Sequence, residues 1–193
     1  LKSKKNLDFH LLPGLEALGV PKGLKGTLIP FRFNNWEDIE KIVKKNAQKC
    51  AAIIIEPCRE YLSEKEYLLE LRKIADKNKC VLIFDEITSG WRLNSGGVHK
   101  IIKVDPDIVV YGKGMGNGYA ISAVVGKKDI MDVAQDTFIS STFWTERIGF
   151  VAALKTIEIL VKEKVWRHLI HIGNLIGEGW LKLAEKHSLK LHV

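Results

Sequence analysis

Two segments of this chain bring reactive groups to the ends of apolar runs. VLIFDE, residues 81–86, is hydrophobic up to Asp85 and Glu86, and DIVVYGKGMGNG, residues 107–118, delivers Lys113 into a glycine-rich turn. In an α/β protein the carboxyl ends of neighbouring parallel strands open onto one crevice, so this pattern predicts a carboxylate and an amine aimed at a common cavity. An amine in that position can add to a carbonyl as a nucleophile, provided it is neutral, and can afterwards carry a proton as base and acid. The carboxylate can hold a cationic partner. An apolar run ending in Asp-Glu is also the Walker B pattern of P-loop ATPases. No G-x-x-x-x-G-K-[ST] segment accompanies it, however, and GKGMGNG has its lysine at the wrong end.

The elements around these segments alternate between strand and helix signals, which predicts an α/β fold with a mostly parallel sheet. Residues 1–26 are punctuated by Gly and Pro and read as a surface loop, followed by a strand in TLIPFRF at 27–33. Asn35 caps a helix with Trp36, Ile39, Ile42 and Val43 on one face. AAIIIEP at 51–57 is a continuous apolar run of the kind buried on both faces. Ser63 and Glu66 have capping-box spacing ahead of a helix carrying Leu69, Leu71 and Ile74. Beyond Lys113, ISAVVGK at 121–127 reads as a strand leading to a helix over 129–133. A helix from about Glu146 carries Ile148, Ala152 and Ile157. Another from about Val165 carries Trp166, Leu169, Ile172, Ile176 and Leu181, and LKLHV at 189–193 reads as a final strand. There is no internal repeat and no low-complexity segment.

Four motifs in order, IIIEP at 53–57, LIFDEITSGWR at 82–92, PDIVVYGKGMGNG at 106–118 and SSTFWTERIG at 140–149, resemble the class III pyridoxal phosphate (PLP) aminotransferases, within them the branch typified by glutamate-1-semialdehyde aminomutase. The resemblance covers nearly the whole sequence but only the middle of the family pattern. It implies the three-layer α/β large domain of the fold type I PLP enzymes over residues 1–150. Residues 151–193 would be a connecting helix and the beginning of a small C-terminal domain. It further implies an aminotransferase or aminomutase acting on a small-molecule amino donor and a carbonyl acceptor, with Lys113 as the Schiff-base lysine and Asp85 paired with the pyridine nitrogen, keeping the ring protonated as an electron sink. The amino-terminal part of the family pattern, which supplies a phosphate turn and a stacking aromatic, has no counterpart here, so these 193 residues alone are expected to be inactive.

Other positions carry narrower expectations. Strand alternation sends Ile87 to the same side as Asp85, where it either rests on the cofactor ring or packs in the core. Glu86 faces away and is structural. Thr88 stands where some relatives place a Gln near the cofactor's phenolic oxygen, which leaves its role open. By resemblance Thr142, assisted by Ser141, binds the phosphate of the cofactor held by the other subunit, which implies a homodimer with shared active sites; a hydroxyl near a helix start suits a phosphate. Trp144 and Arg147 either reach toward a substrate carboxylate or sugar or belong to a helix surface. Glu56 either orients groups near the cofactor or pairs with Arg59 or Arg92. The chain departs from the common pattern in having GNGYA after the lysine and FWTERIG after the Ser-Thr pair. Two rivals stay open: another fold type I enzyme, a decarboxylase or racemase, and a non-catalytic remnant serving as an interaction surface.

Composition bounds the rest. With 193 residues, 46% of them apolar, the chain can bury one substantial core. Its net charge of +7 is scattered and not interleaved with aromatics, which argues against a nucleic-acid footprint. Cys50, Cys58 and Cys80 lack ligand spacing and read as reduced thiols of a cytoplasmic protein. The six histidines are dispersed, with only His168 and His171 at i, i+3, so no metal site is expected. No apolar run approaches the ~18 residues of a membrane span, and no signal-peptide pattern opens the sequence.

Overall fold

The computed structural model describes residues 18–24, 26–46, 49–59 and 61–193. The chain divides into two compact units, 1–50 and 51–193. Most of the expected loop over 1–26 lies outside the described residues. In the first unit, helix α1 (Trp36–Asn46) starts as its sequence predicts: Asn35 Oδ1 accepts the Asp38 backbone N–H at 2.9 Å, and Ile39 is buried. The strand expected at 27–33 does not form. Pro30 has no N–H to give a ladder, and the Arg32 N–H donates to the Asp38 carboxylate at 3.1 Å.

The second unit is built on a four-stranded sheet in the order β1 (Ala52–Ile55), β2 (Val81–Asp85), β3 (Ile108–Tyr111), β4 (Ala123–Gly126). The first three strands are parallel, and β4 runs antiparallel to β3. Helix α2 (Lys65–Asn78) links β1 to β2, and the single-turn α3 (His99–Ile102) links β2 to β3. After β4 come α4 (Lys128–Met131), α5 (Ile148–Glu163) and α6 (Val165–Lys186).

The register aligns Ile55, Phe84 and Val109 in one row, which puts the buried Ile53, Leu82 and Tyr111 on the same face. Leu68, Leu71 and Ala75 of α2 are fully buried over β1 and β2, while Ala153 of α5 joins Val109, Tyr111 and Met115 in one cluster. Each such leucine is worth about 1.5–3 kcal/mol of burial. The opposite face carries Ile54 and Val124, which are 49% and 53% exposed. The run AAIIIEP is therefore buried on one face only, contrary to its reading as a doubly covered strand. Asp85, odd in the alternation, belongs to that opposite face.

Two local expectations are corrected. The N-cap of α2 falls on Glu64, whose side chain makes no cap bond, one residue beyond Ser63, whose N–H donates to the Pro57 carbonyl at 2.9 Å. The buried stripe is then Tyr67, Leu68, Leu71 and Ala75, and Leu69 faces solvent. LKLHV is not a strand, since no described strand pairs with it.

Asp107, just ahead of β3, ties the layers together. Its carboxylate accepts from Arg72 of α2 at 2.8 Å, from the Leu82 N–H of β2 at 2.8 Å and from Lys127 at 2.7 Å. Burial pushes this carboxyl up, but the Leu82 amide, Lys127 and Arg72 together hold it below its ordinary value. A depressed folded value stabilises above the unfolded carboxylate pKa, about 4, and that stabilisation is lost as pH falls through the folded value. Asp107→Asn is thus expected to cost about 2 kcal/mol at neutral pH. Melting curves between acid and neutral pH should show the gap from the parent protein closing on the acid side.

Candidate active site

Asp85 is the last residue of β2, and Lys113 follows the end of β3 by two residues. Asp85 pairs with Val110 in the parallel register, and the Glu86 N–H extends the pairing to the Val110 carbonyl at 2.9 Å. Carboxylate and amine therefore leave the sheet from adjacent strand ends at one edge, as the two motifs predict. Lys113 opens a 3-10 turn, Lys113–Met115, with φ of +40°, a left-handed conformation costing about 1–2 kcal/mol for a residue with a side chain. Strain of this kind collects at functional positions. The turn is closed by the Gly116 and Asn117 N–H groups, both donating to the Lys113 carbonyl at 3.1 and 3.2 Å. A Cβ on Gly116 would meet the Tyr119 carbonyl at 2.2 Å, so glycine is required there.

Lys113 is an exposed residue, and its amine donates to Thr88 Oγ1 at 2.9 Å. Asp85 is half-buried, and its Oδ1 accepts the Ile87 N–H at 3.0 Å. Ile87 lies in a turn beyond the strand, so the turn rather than strand alternation sets its direction. Its Cγ2 lies 3.4 Å from where a Cβ on Gly112, the neighbour of Lys113, would stand. A cavity of about 540 Å³ opens beside the glycine turn, with Trp91, Arg92, Gly116 and Lys155 among its walls, but neither Asp85 nor Lys113 lines it.

Glu86 is completely buried, which bears out its structural reading. Its carboxylate accepts the Val98 and His99 backbone N–H groups at 2.5 and 3.1 Å, the Ser89 hydroxyl at 3.2 Å, and stands 2.8 Å from His99 Nδ1. The residue after Asp85 is thereby stapled to the start of α3. Burial, and next the Glu86 charge, push the Tyr111 phenol up to about 12, so it stays neutral beneath Trp91, 5.6 Å away between ring centroids. His99 was not legible as a partner in the sequence. The one signal was the Gly96-Gly97 pair admitting a close approach, since a Cβ on Gly97 would lie 2.4 Å from Glu86 Oε1.

Ser141 and Thr142 are exposed, Thr142 in a turn six residues ahead of α5 rather than at its start. Ser141 Oγ accepts the Phe143 N–H at 3.3 Å, and at the start of α5, where Arg147 is the N-cap residue, Glu146 Oε1 accepts the Ile148 N–H at 2.7 Å. No hydrogen bond among the described residues joins Ser141 or Thr142 to Asp85 or Lys113. Trp144 is 60% exposed, Arg147 immediately precedes α5, and Glu56 pairs with Arg59 at 3.4 Å. No cluster of metal-ligating residues occurs among the described residues. No described helix is long and apolar enough to cross a membrane.

Pyridoxal phosphate offers an aldehyde to an amine and a ring nitrogen to a carboxylate, and Lys113 and Asp85 on adjacent strand ends fit that demand. The family model of the class-III aminotransferases matches residues 31–192. The chain is 36% identical over 181 residues to the 3-aminobutyryl-CoA aminotransferase of Cloacimonas acidaminovorans, covering 90% of this chain and 44% of that protein. It is 30% identical to the glutamate-1-semialdehyde 2,1-aminomutase of Methanococcoides burtonii, covering 92% of this chain and 44% of the relative. Among solved structures, the FumI protein of Sphingopyxis sp. MTA144, in its PLP internal aldimine form, superposes with a TM-score of 0.79 at 26% identity, over 84% of this chain and 41% of its own. The chain thus spans less than half the length of the relatives it matches. Four-stranded α/β core, strand-end Asp and Lys, and the family match over most of the sequence agree: the chain belongs to the class-III aminotransferases, with the fold type I large-domain architecture of PLP-dependent enzymes.

Proposed function

We propose that the protein to which this chain belongs is a PLP-dependent aminotransferase or aminomutase that moves an amino group from a small-molecule donor to a carbonyl acceptor. The observation that carries the proposal is the emergence of Asp85 and Lys113 from paired parallel strands, with Lys113 held in a left-handed turn. When bound, PLP supplies an electron sink for cleaving a bond at the substrate's α-carbon. Lys113 serves as the covalent anchor and, when free, carries the proton at its Nζ. Asp85 holds the protonated ring nitrogen, anchored against its own turn by the Ile87 N–H. Ile87 flanks the ring from beside Gly112.

The remaining assignments rest on the family pattern. Ser141 and Thr142 contact the phosphate of a cofactor in a second subunit, which their exposed turn permits. A homodimer is also supported by the apolar surface around that turn, where Phe138, Phe143 and Trp144 are 98%, 75% and 60% exposed. Residues 1–150 belong to the large domain, and 151–193 lead toward the small one. Cys50, Cys58 and Cys80, as reduced thiols, favour a cytoplasmic setting.

The test is borohydride reduction of the whole protein loaded with PLP, followed by peptide mapping. The pyridoxyl group is expected on Lys113. Label on another lysine, or none on a folded protein, removes the assignment.

A further inference from the structure

The family pattern leaves the role of Thr88 open, and its hydroxyl accepts a hydrogen bond from the Lys113 amine. We infer that Thr88 is a positioning residue that holds the Lys113 amine in place whenever that amine is free, an inference resting on Lys113 being the attachment lysine. The geometry on which this stands is the Nζ to Oγ1 hydrogen bond of 2.9 Å between side chains twenty-five residues apart in sequence.

The hydroxyl is presented from a pinned turn. The Gly90 N–H donates to the Glu86 carbonyl at 2.8 Å, and the Arg92 N–H to the Ser89 carbonyl at 3.3 Å. A Cβ on Gly90 would fall 2.7 Å from both the Glu86 carbonyl oxygen and the Tyr111 ring, so the turn packs tightly against β3. One end is held by the buried Glu86 carboxylate, which also binds the Ser89 hydroxyl and the start of α3. At the other end of the bond, the backbone of Lys113 is fixed by its left-handed turn, leaving the flexible lysine stem as the only loose part. Thr88 restrains that stem at its tip.

The choice of a neutral hydroxyl matters chemically. It accepts a hydrogen bond from an ammonium or from a neutral amine and can donate to the neutral amine's lone pair, so it keeps its hold in either protonation state of Lys113. A carboxylate in its place would favour the charged form and oppose nucleophilic attack. A threonine therefore orients the amine without committing its proton.

The experiment compares the whole protein, freed of cofactor, with its Thr88→Val and Thr88→Ser forms. Each is mixed with PLP, and the rate of attachment to Lys113 is followed by absorbance and confirmed by reduction and mapping. Valine keeps the shape and removes the hydroxyl; serine keeps the hydroxyl. Thr88→Val is expected to slow attachment about fivefold, the effect of one lost hydrogen bond, with Thr88→Ser close to the parent and the melting temperatures of all three alike. The inference is overturned if Thr88→Val attaches as fast as the parent, or if Thr88→Ser is as slow as Thr88→Val. A parent protein that takes no label on Lys113 sinks the functional reading and this inference with it, whereas normal labelling with no difference among the variants sinks the inference alone.

Discussion

Asp85→Ala in the whole protein is expected to lower turnover by about two to three orders of magnitude, the scale on which removing one preorganised charge at a developing carbanion acts. The same change should move the melting temperature of the cofactor-free protein little. Asp85 is half-buried, and its side chain makes one hydrogen bond, to the Ile87 N–H, so its structural contribution is about 1 kcal/mol. Asp85→Asn separates the two roles further. The amide oxygen can still accept from Ile87, while the charge that holds a protonated ring nitrogen is gone. Turnover and thermal melts measured side by side decide the matter: comparable losses of activity and cofactor-free stability would make Asp85 a structural residue.

Glu86, the next residue, should behave in the opposite way. Its carboxylate is completely buried and satisfies two backbone N–H groups and the Ser89 hydroxyl while facing His99. Glu86→Ala leaves those donors without a partner and is expected to destabilise the fold by about 3–5 kcal/mol, the cost of breaking a buried charged network by removing one member. Burial pushes the Glu86 carboxyl up, but the hydrogen bonds from the His99 ring and from the Val98 and His99 amides outweigh it and hold the group below its ordinary value. The sign follows: its stabilisation is full above the unfolded carboxylate pKa and fades as pH falls through the lower folded value. Chemical denaturation of parent and Glu86→Gln as a function of pH should therefore converge in acid. A constant gap down to acid pH would mean that the group's charge contributes nothing to the fold.

The contrast between two consecutive acidic residues shows where sequence alone suffices. Apolar runs ending in Asp85 and Lys113 determined a parallel pair of strands with a carboxylate and an amine at one edge, because strand alternation and the burial of β-branched and aromatic residues are local and periodic. The cap of α1 at Asn35 was legible for the same reason, since its bond to the Asp38 N–H spans only three residues.

Other features depended on what each group met after folding. Ser63 had capping-box spacing but the N-cap of α2 falls on Glu64, and TLIPFRF had strand composition but no ladder to join. Thr142 read as a hydroxyl near a helix start, yet α5 begins six residues later and Thr142 sits in an exposed turn. The bond from Lys113 to Thr88 and the grip of Glu86 on Val98 and His99 join residues twelve to twenty-five positions apart, and only the packed turn beyond β2 brings them within reach. Periodicity announces which face of an element is apolar. The partner of a single polar atom depends on distances of about 3 Å across elements, and no local pattern of residue types encodes those.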